Sequence, residues 1–178
     1  MKKLQPTNYN LQSNKGFTLV ELLLYVGIAS IILLITTLFL STLLESRIKN
    51  QTVAEVEQQG LQAMQIITQT ARNAEAITTP SQGASASSLT LDVITALNDP
   101  TIFDLSSGAI RIKEGAAAII PLTNSRITAS ALTFQNLSRP TTPGTIRIQF
   151  TLTHVNPDGR NEYNFNKTFI GSATLRQP

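Results

Sequence analysis

The hydrophobic and polar positions divide this chain into an uninterrupted apolar segment, an amphipathic stretch and an alternating region, in that order. Residues 22–44 are uncharged without exception, and Glu21 is the one acid in the apolar segment that begins at Phe17. A helix of that length extends about 35 Å, enough to cross a bilayer core of about 30 Å. The pattern therefore predicts a membrane-spanning helix over residues 17–44.

Beyond residue 44 the apolar residues recur at spacings of three and four, the period of one face of a helix. The members of this stripe are Val53, Val56, Gly60, Met64, Ile67, Ala71 and Ala74. Charged and amide residues fill the remaining positions, and Pro80 ends the pattern. We therefore expect one helix over residues 17–77, whose part beyond residue 44 packs its apolar stripe on a globular domain.

Alternation of apolar and polar residues predicts β-strands with one buried face in the C-terminal part of the chain. The runs are 89–93, 110–113 and 145–153, with weaker ones near 101–105, 117–121 and 127–135. Turn residues at 156–159 predict a hairpin that joins 145–153 to 163–170. The small polar run 81–88 is expected to be a linker. The fold class is α+β, with the long N-terminal helix packed on an antiparallel sheet.

The basic residues that produce the net charge of +3 lie before the apolar segment. Lys2, Lys3 and Lys15 belong to the 14 Lys and Arg residues, so 11 basic residues face 11 acids after residue 16. Basic residues before a span favour a cytoplasmic N-terminus. The charge pattern thus predicts a single-pass inner-membrane protein whose C-terminal domain lies outside the cytoplasm.

Residue types that carry catalysis or bind metals are poorly supplied. The chain has no cysteine and one histidine, His154, which ends a predicted strand without a clear acid partner and is expected at the surface. Phosphate-binding loops, the G-x-S-x-G and HExxH motifs and the spacing of a calcium loop are absent from the sequence. We therefore expect no enzymatic activity, no cofactor and no metal site.

The apolar segment opens on the motif KGFTLVE, from Lys15 to Glu21. This motif resembles the cleavage and methylation site of type IV prepilins and type II secretion pseudopilins. The resemblance implies that prepilin peptidase cuts between Gly16 and Phe17 and then methylates the new amine of Phe17. Glu21 becomes the fifth residue of the mature chain, as the family pattern requires. The implied regions are a leader (1–16), a transmembrane or filament-core half-helix (17–44), an amphipathic half-helix (45–79) and a β-rich pilin-like domain (80–178).

Glu21 is the residue of this motif whose chemistry requires an explanation. A carboxylate at the centre of a membrane helix costs about 2.5 to 3.5 kcal/mol, and Glu21 is expected to lack a partner within its own span. In a filament it could pair with the Phe17 amine of a neighbouring subunit, which would offset the desolvation of both groups and set their axial register. A surface acid that reaches the membrane interface is the alternative. Gly16 has no side chain, so a protease can approach its backbone closely.

The spacing of hydrophobic positions through residues 107–110, 120–122 and 132–134 resembles a minor pseudopilin of the J type. The lack of cysteine departs from major pilins that have a disulfide-bounded loop. The resemblance implies a structural subunit, a minor pilin or pseudopilin, of a type IV pilus or type II secretion-like filament. Its implied partners are prepilin peptidase, other pilin or pseudopilin subunits, the inner-membrane assembly platform and the lipid bilayer, with a final location in a periplasmic or surface filament.

Two other functions stay open at this point. The first is a minor pilin that binds DNA or a secreted substrate through basic residues of the β-rich domain. These residues are Arg111, Lys113, Arg126, Arg139 and Arg147. Solvated strand faces explain them more simply, so nucleic acid is not the expected partner. The second is a signal-anchored extracytoplasmic domain without pilin function, which an uncleaved N-terminus would favour.

Overall fold

A computed structural model describes residues 16–176 of the chain. Within that range, a long helix α1 (Leu19–Asn73) is followed by strands and a short 3₁₀ helix (Asn161–Tyr163). The strands in chain order are β1 (Ala74–Thr79), β2 (Ser85–Ala86), β3 (Leu89–Val93), β4 (Thr101–Ser106), β5 (Ala109–Glu114), β6 (Ile120–Pro121), β7 (Ile127–Asn136), β8 (Thr145–His154) and β9 (Asn166–Thr174). The long N-terminal helix and the antiparallel strands confirm the predicted α+β class.

The chain divides after Leu43 into two compact units, and the sequence of α1 continues across that boundary. In the first unit, every residue of α1 except the half-buried Glu21 is exposed. α1 contains an apolar window that is long enough to cross a membrane, and none of that window is buried. So large a continuous apolar surface marks a site of contact with lipid or with other proteins.

The second unit contains two antiparallel sheets and the remainder of α1. The first sheet has the order β1-β3-β4-β5-β6, and the second sheet has the order β2-β7-β8-β9. The sequence predicted strands but did not separate them into two sheets. The strands at 89–93, 101–105, 110–113 and 127–135 are confirmed, as is the hairpin between β8 and β9.

The buried face of α1 belongs to one hydrophobic core cluster with buried residues of both sheets. Its buried residues are Thr52, Val56, Gly60, Ala63, Ile67 and Ala71. The predicted stripe is therefore right at four helical positions. At the other two, Thr52 and Ala63 are buried while the neighbouring Val53 and Met64 are partly exposed. Burial of Thr52 is tolerated because its hydroxyl donates to the carbonyl of Ile48 at 3.0 Å.

Two glycines allow α1 and β9 to approach each other closely. A Cβ added to Gly60 would overlap the ring of Phe169, and one added to Gly171 would lie 2.5 Å from Sδ of Met64. The helix thus receives an aromatic ring from the strand, and the strand receives a thioether from the helix. This reciprocal contact fixes where the helix lies along the strand, because sliding either element would place side chains against side chains.

The predicted helix end at residue 77 is wrong, because α1 stops at Asn73 and β1 begins at Ala74. The run Ile77-Thr78-Thr79 is β-branched, and the residue before Pro80 is biased against the helical region, so the segment favours strand pairing with β3. The predicted linker at 81–88 also contains a strand, β2, which pairs with β7. Near 117–121 the strand is restricted to β6, and β9 starts at residue 166 instead of 163.

Candidate functional site

The helix α1 begins with a side-chain cap at Thr18. Oγ1 of Thr18 accepts a hydrogen bond from the backbone N–H of Glu21 at 3.3 Å, and its carbonyl accepts one from Leu22 at 3.1 Å. Thr18 and Glu21 have the T-x-x-E spacing of a capping box, a helix-start signal that the sequence analysis overlooked. The carboxylate of Glu21 also lies in the first helical turn, where the helix dipole favours negative charge.

The peptide bond between Gly16 and Phe17 immediately precedes this cap. Both residues are exposed, and the side chain of Phe17 is 75% accessible. Among the described residues, no atom lies within 4 Å of a Cβ built on Gly16. The described fold therefore places no requirement for a glycine at this position. The rest of the predicted leader, including Lys2, Lys3 and Lys15, lies outside the described residues.

The carboxylate of Glu21 has a neighbour in its own helix, contrary to expectation. The hydroxyl of Tyr25, one turn later, donates to Oε1 of Glu21 at 3.4 Å. The ring of Tyr25 in turn meets that of Phe17 edge to face, with centroids 6.1 Å apart. So long a hydrogen bond from a neutral donor leaves the negative charge uncompensated. Among residues 16–176, no basic side chain lies within 4.0 Å of this carboxylate.

A polar cluster in the second unit is centred on Glu55 of α1. Oε1 of Glu55 accepts a hydrogen bond from Asn124 at 2.8 Å and forms a salt bridge with Arg126 at 2.8 Å, and Oε2 lies 3.7 Å from Nε2 of His154. The histidine is 8% exposed and stacks on the ring of Tyr163. The expectation of a surface histidine without an acid partner is therefore wrong. Its partner is 99 residues away in the sequence, and the cluster joins α1 to the end of β8.

The basic residues of the β-rich domain do not form one free patch. Arg111 makes a two-pronged contact with Asp104 at 2.8 and 2.6 Å, and Arg126 binds Glu55. The hydrogen bond to Asp104 raises the pKa of Arg111 above its ordinary value, although partial burial opposes this. Of the others, Lys113 lies on β5 and Arg147 on β8, which belong to different sheets.

The loop between β8 and β9 is attached to α1 by Lys49. Its ammonium donates to the carbonyls of Asn161 and Asn164 at 3.2 and 2.7 Å. Within the loop, Glu162 accepts a hydrogen bond from Arg160, and this bond is the main reason that the pKa of Arg160 is raised. The pKa of Glu162 is lowered, chiefly by a hydrogen bond to its own backbone and then by Arg160. The hydrogen bonds of Lys49 thus hold this loop against α1.

Side chains that could bind a metal ion are scattered over residues 16–176. Within the part of the chain that the structure describes, no three His, Cys, Asp or Glu side chains are grouped so that they could hold a metal ion. The chemistry that stands out is therefore the exposed Gly16–Phe17 bond and the uncompensated Glu21 at the start of α1.

One comparison with known proteins identifies the N-terminal motif. Residues 11–37 match the model of the prokaryotic N-terminal methylation motif. No curated protein and no solved structure matches the chain. The matched residues include Gly16, Phe17 and Glu21 and continue into the exposed apolar part of α1, which is consistent with membrane anchoring. The chain therefore carries a prepilin-type N-methylation motif on a long apolar helix, followed by a pilin-like α+β domain.

Proposed function

We propose that this chain is a structural subunit, a minor pilin or pseudopilin, of a type IV pilus or type II secretion-like filament. Prepilin peptidase cuts it between Gly16 and Phe17 and methylates the Phe17 amine. The mature subunit then enters a filament through packing of its apolar half-helix. Glu21 of one subunit pairs with the Phe17 amine of a neighbour during that assembly.

The observation that carries the proposal is the match of residues 11–37 at the start of an exposed apolar helix. Processing is supported by the exposure of the Gly16–Phe17 bond, which precedes the first helical turn. Processing is also supported by the open space around Gly16. The fold itself does not require a glycine at this position, whereas a protease that approaches the backbone closely would favour one.

The pairing of Glu21 follows from charge balance in an apolar environment. Cleavage creates an ammonium at Phe17, close to the helix N-terminus, where the dipole disfavours positive charge. Glu21 carries a negative charge that no cation compensates among the described residues. When apolar helices surround both groups, each has a large desolvation cost that a direct ion pair offsets. A non-enzymatic role agrees with the pilin-like fold and with the motif.

Processing is tested by the intact mass of the full chain from membranes with and without prepilin peptidase. We expect the mass to fall by residues 1–16 and to rise by one methyl group, and this change should depend on the peptidase. An unchanged N-terminus in both samples would contradict the proposal and favour a signal-anchored domain.

The pairing is tested by two substitutions of Glu21 that separate its charge from its place in the capping box. Glutamine at this position still suits a capping box but has no charge. We expect Glu21→Gln and Glu21→Ala each to reduce incorporation into sheared filaments at least about tenfold, the effect of an ion pair worth about 1.4 kcal/mol or more. Cleavage should continue in both. The control is Glu45→Ala, an exposed acid of the same helix. Normal incorporation of Glu21→Gln would rule out the ion pair.

A further inference from the structure

The two sheets of the second unit end in four edge strands, and three of these have features that discourage a further strand. The pairing of β1 with β3 is interrupted by two register shifts. β2 and β6 are each two residues long, and β6 contains Pro121, which has no backbone N–H. Bulges, short strands and proline are means by which natural proteins protect a sheet edge from pairing with another chain.

The fourth edge strand, β9, lacks all of these features. It is nine residues long and contains no proline, and its pairing with β8 has no register shift. At about 3.4 Å per residue, the strand extends about 27 Å. Its one charged residue, Lys167, is paired with Glu57 of α1 at 2.6 Å. β9 is therefore a long, regular edge with no unpaired charge to repel a neighbouring strand.

The ladder between β8 and β9 shows which backbone groups of β9 point away from the sheet. The N–H of His154 donates to the carbonyl of Phe165 at 3.0 Å, and both residues continue the register of the ladder. At the other end, the N–H of Leu175 donates to the carbonyl of Gly144 at 2.8 Å in the same register. In an antiparallel ladder, residues that bond to the partner strand alternate with residues whose backbone groups point away from it. The odd-numbered residues of β9 therefore bond to β8, and the even-numbered residues point outward.

The outward-pointing groups form one row along the edge. They are the N–H and C=O groups of five exposed, uncharged residues, Asn166, Thr168, Ile170, Ser172 and Thr174. Within residues 16–176, these backbone groups take part in no hydrogen bond with a turn, a loop or a side chain. Ile170, at the centre of the row, is 58% exposed. The row is thus open to a partner over the whole length of β9.

We propose that the outer edge of β9 binds an extended, uncharged segment of another protein, which adds to the sheet as a further strand. A row of alternating backbone donors and acceptors identifies this ligand, because an extended polypeptide presents the complementary groups at the same spacing. The inference goes beyond the role of a filament subunit and does not depend on it.

A second copy of this chain is a poorer occupant than a different protein. Apart from its own β9, such a copy has only the interrupted β1 and the two-residue β2 and β6 as edge strands in its described part. Antiparallel pairing of β9 with β9 is an isologous contact, which closes on itself, whereas filaments grow through heterologous contacts. The edge therefore fits a partner from outside a row of identical subunits.

The side chains beside the edge predict the sequence of the added segment. Two pairs of hydroxyl groups join β8 to β9, Thr151 with Thr168 at 2.8 Å and Thr145 with Thr174 at 3.2 Å. Ile170 lies between these pairs on the same exposed face. Cross-strand pairs of threonines and of β-branched residues stabilise a sheet. We therefore expect a segment in which threonine or serine flanks a central valine or isoleucine at alternate positions.

Amide hydrogen exchange of the full-length chain in detergent tests the edge directly. The probe is a synthetic nine-residue peptide of alternating threonine and valine, methylated at every second backbone nitrogen so that only one of its edges can pair. We expect it to slow exchange at the five outward amides of β9 at least about tenfold, because each gains a hydrogen-bonding environment. The intervening amides, already bonded to β8, should change little. The control peptide is methylated at every backbone nitrogen and should protect none of them.

Two results of this experiment would overturn the proposal. One is no protection of the outward amides by the singly edged peptide at millimolar concentration. The other is equal protection by the fully methylated peptide, which would mean that contacts of side chains, and not pairing of backbones, hold the peptide.

Two substitutions of Ser172 separate its backbone from its side chain. Ser172→Pro removes one outward N–H and leaves the ladder with β8, since proline is tolerated where the N–H of an edge strand faces solvent. We expect it to weaken binding of the probe peptide at least about tenfold, through the lost hydrogen bond and the obstructing ring. Ser172→Ala keeps the N–H and should bind as the unaltered chain does. Equal weakening by both would overturn backbone pairing. If Ser172→Pro unfolds β9, the two peptides still decide the question on the unaltered chain.

The mass of the chain and of its complex separates the remaining occupants. A dimer of the chain that protects the same five amides without peptide would overturn the proposal in favour of a second copy. Binding of the peptide by a chain that prepilin peptidase does not process would support the inference and contradict the proposed function. A processed chain that does not bind the peptide would do the reverse.

Discussion

The two halves of α1 share one secondary structure but differ in what explains their sequence. Between residues 19 and 43 all large apolar side chains are exposed, whereas between residues 52 and 71 every third or fourth residue is buried against the sheets. The second half is explained by contacts within the chain, such as Gly60 against Phe169. Among residues 16–176 the first half exposes its large apolar side chains, so its sequence reflects contact with lipid or with other proteins. One helix can therefore have a first half whose sequence is determined by contacts outside the chain and a second half whose sequence is determined by contacts within the domain.

The largest expected effect on unfolding comes from the core of the β-rich domain. Phe150 is fully buried and stacks on Phe169 with ring centroids 5.4 Å apart. We expect Phe150→Ala to lower the free energy of unfolding of the β-rich domain by about 3–5 kcal/mol, because it leaves a cavity in the core. Chemical denaturation of the detergent-solubilised protein measures this loss. The neighbouring Thr153→Ala, on the outer face of β8, is the control, and a loss under about 1 kcal/mol in Phe150→Ala would contradict the packing described.

A pair of identical substitutions sharpens the comparison. Gly60→Ala places a methyl group against the Phe169 ring, so we expect a destabilisation of about 1–3 kcal/mol that exceeds the gain in helix propensity. Gly27→Ala makes the same change in the first half of α1, where no atom of residues 16–176 lies within 4 Å of the added Cβ. It should not destabilise the domain. Equal destabilisation by both substitutions, measured in the same denaturant series, would show that the two halves do not differ in this way.

The smallest effect on unfolding is expected from the apolar segment itself. Leu33 is 70% exposed, and Leu33→Ala should change the free energy of unfolding of the domain by no more than about 0.5 kcal/mol. Under the proposed function its incorporation into filaments should nevertheless fall, because Leu33 would then contact other helices. Denaturation and the filament fraction, determined on the same preparation, provide the two values. A shift of more than about 1 kcal/mol in unfolding would mean that this residue supports the domain.

Periodicity in the sequence was sufficient to predict the elements that depend on residues close together in the chain. The apolar segment, the buried positions Val56, Gly60, Ile67 and Ala71 and the β8–β9 hairpin follow from spacing and turn residues. The end of α1 was misplaced because Ala74 continues the helical spacing, while pairing of β1 with β3 outweighs that pattern. Strand alternation says which face is buried but not which sheet a strand joins, so the division into two sheets could not be predicted.

For the polar sites, the sequence supplied candidates but few of their partners. The T-x-x-E spacing of Thr18 and Glu21 was a readable local signal for the helix cap. The contact between Glu55 and His154 gave no such signal, because it depends on α1 lying beside the end of β8. Likewise, Arg111 and Arg126 were candidates for a free basic patch until the fold paired them with Asp104 and Glu55. Polar contacts between residues far apart in the sequence depend on the fold and produce no periodic pattern in the sequence.

The open space around Gly16 has a consequence for natural variation at this position. Under the proposed processing, Gly16 leaves with the leader and is absent from the working subunit. A substitution there would lower the yield of mature chains, but each chain that did mature would be identical to the normal product. Variation at Gly16 therefore changes the number of mature subunits, whereas variation at Gly60 changes the packing within every subunit.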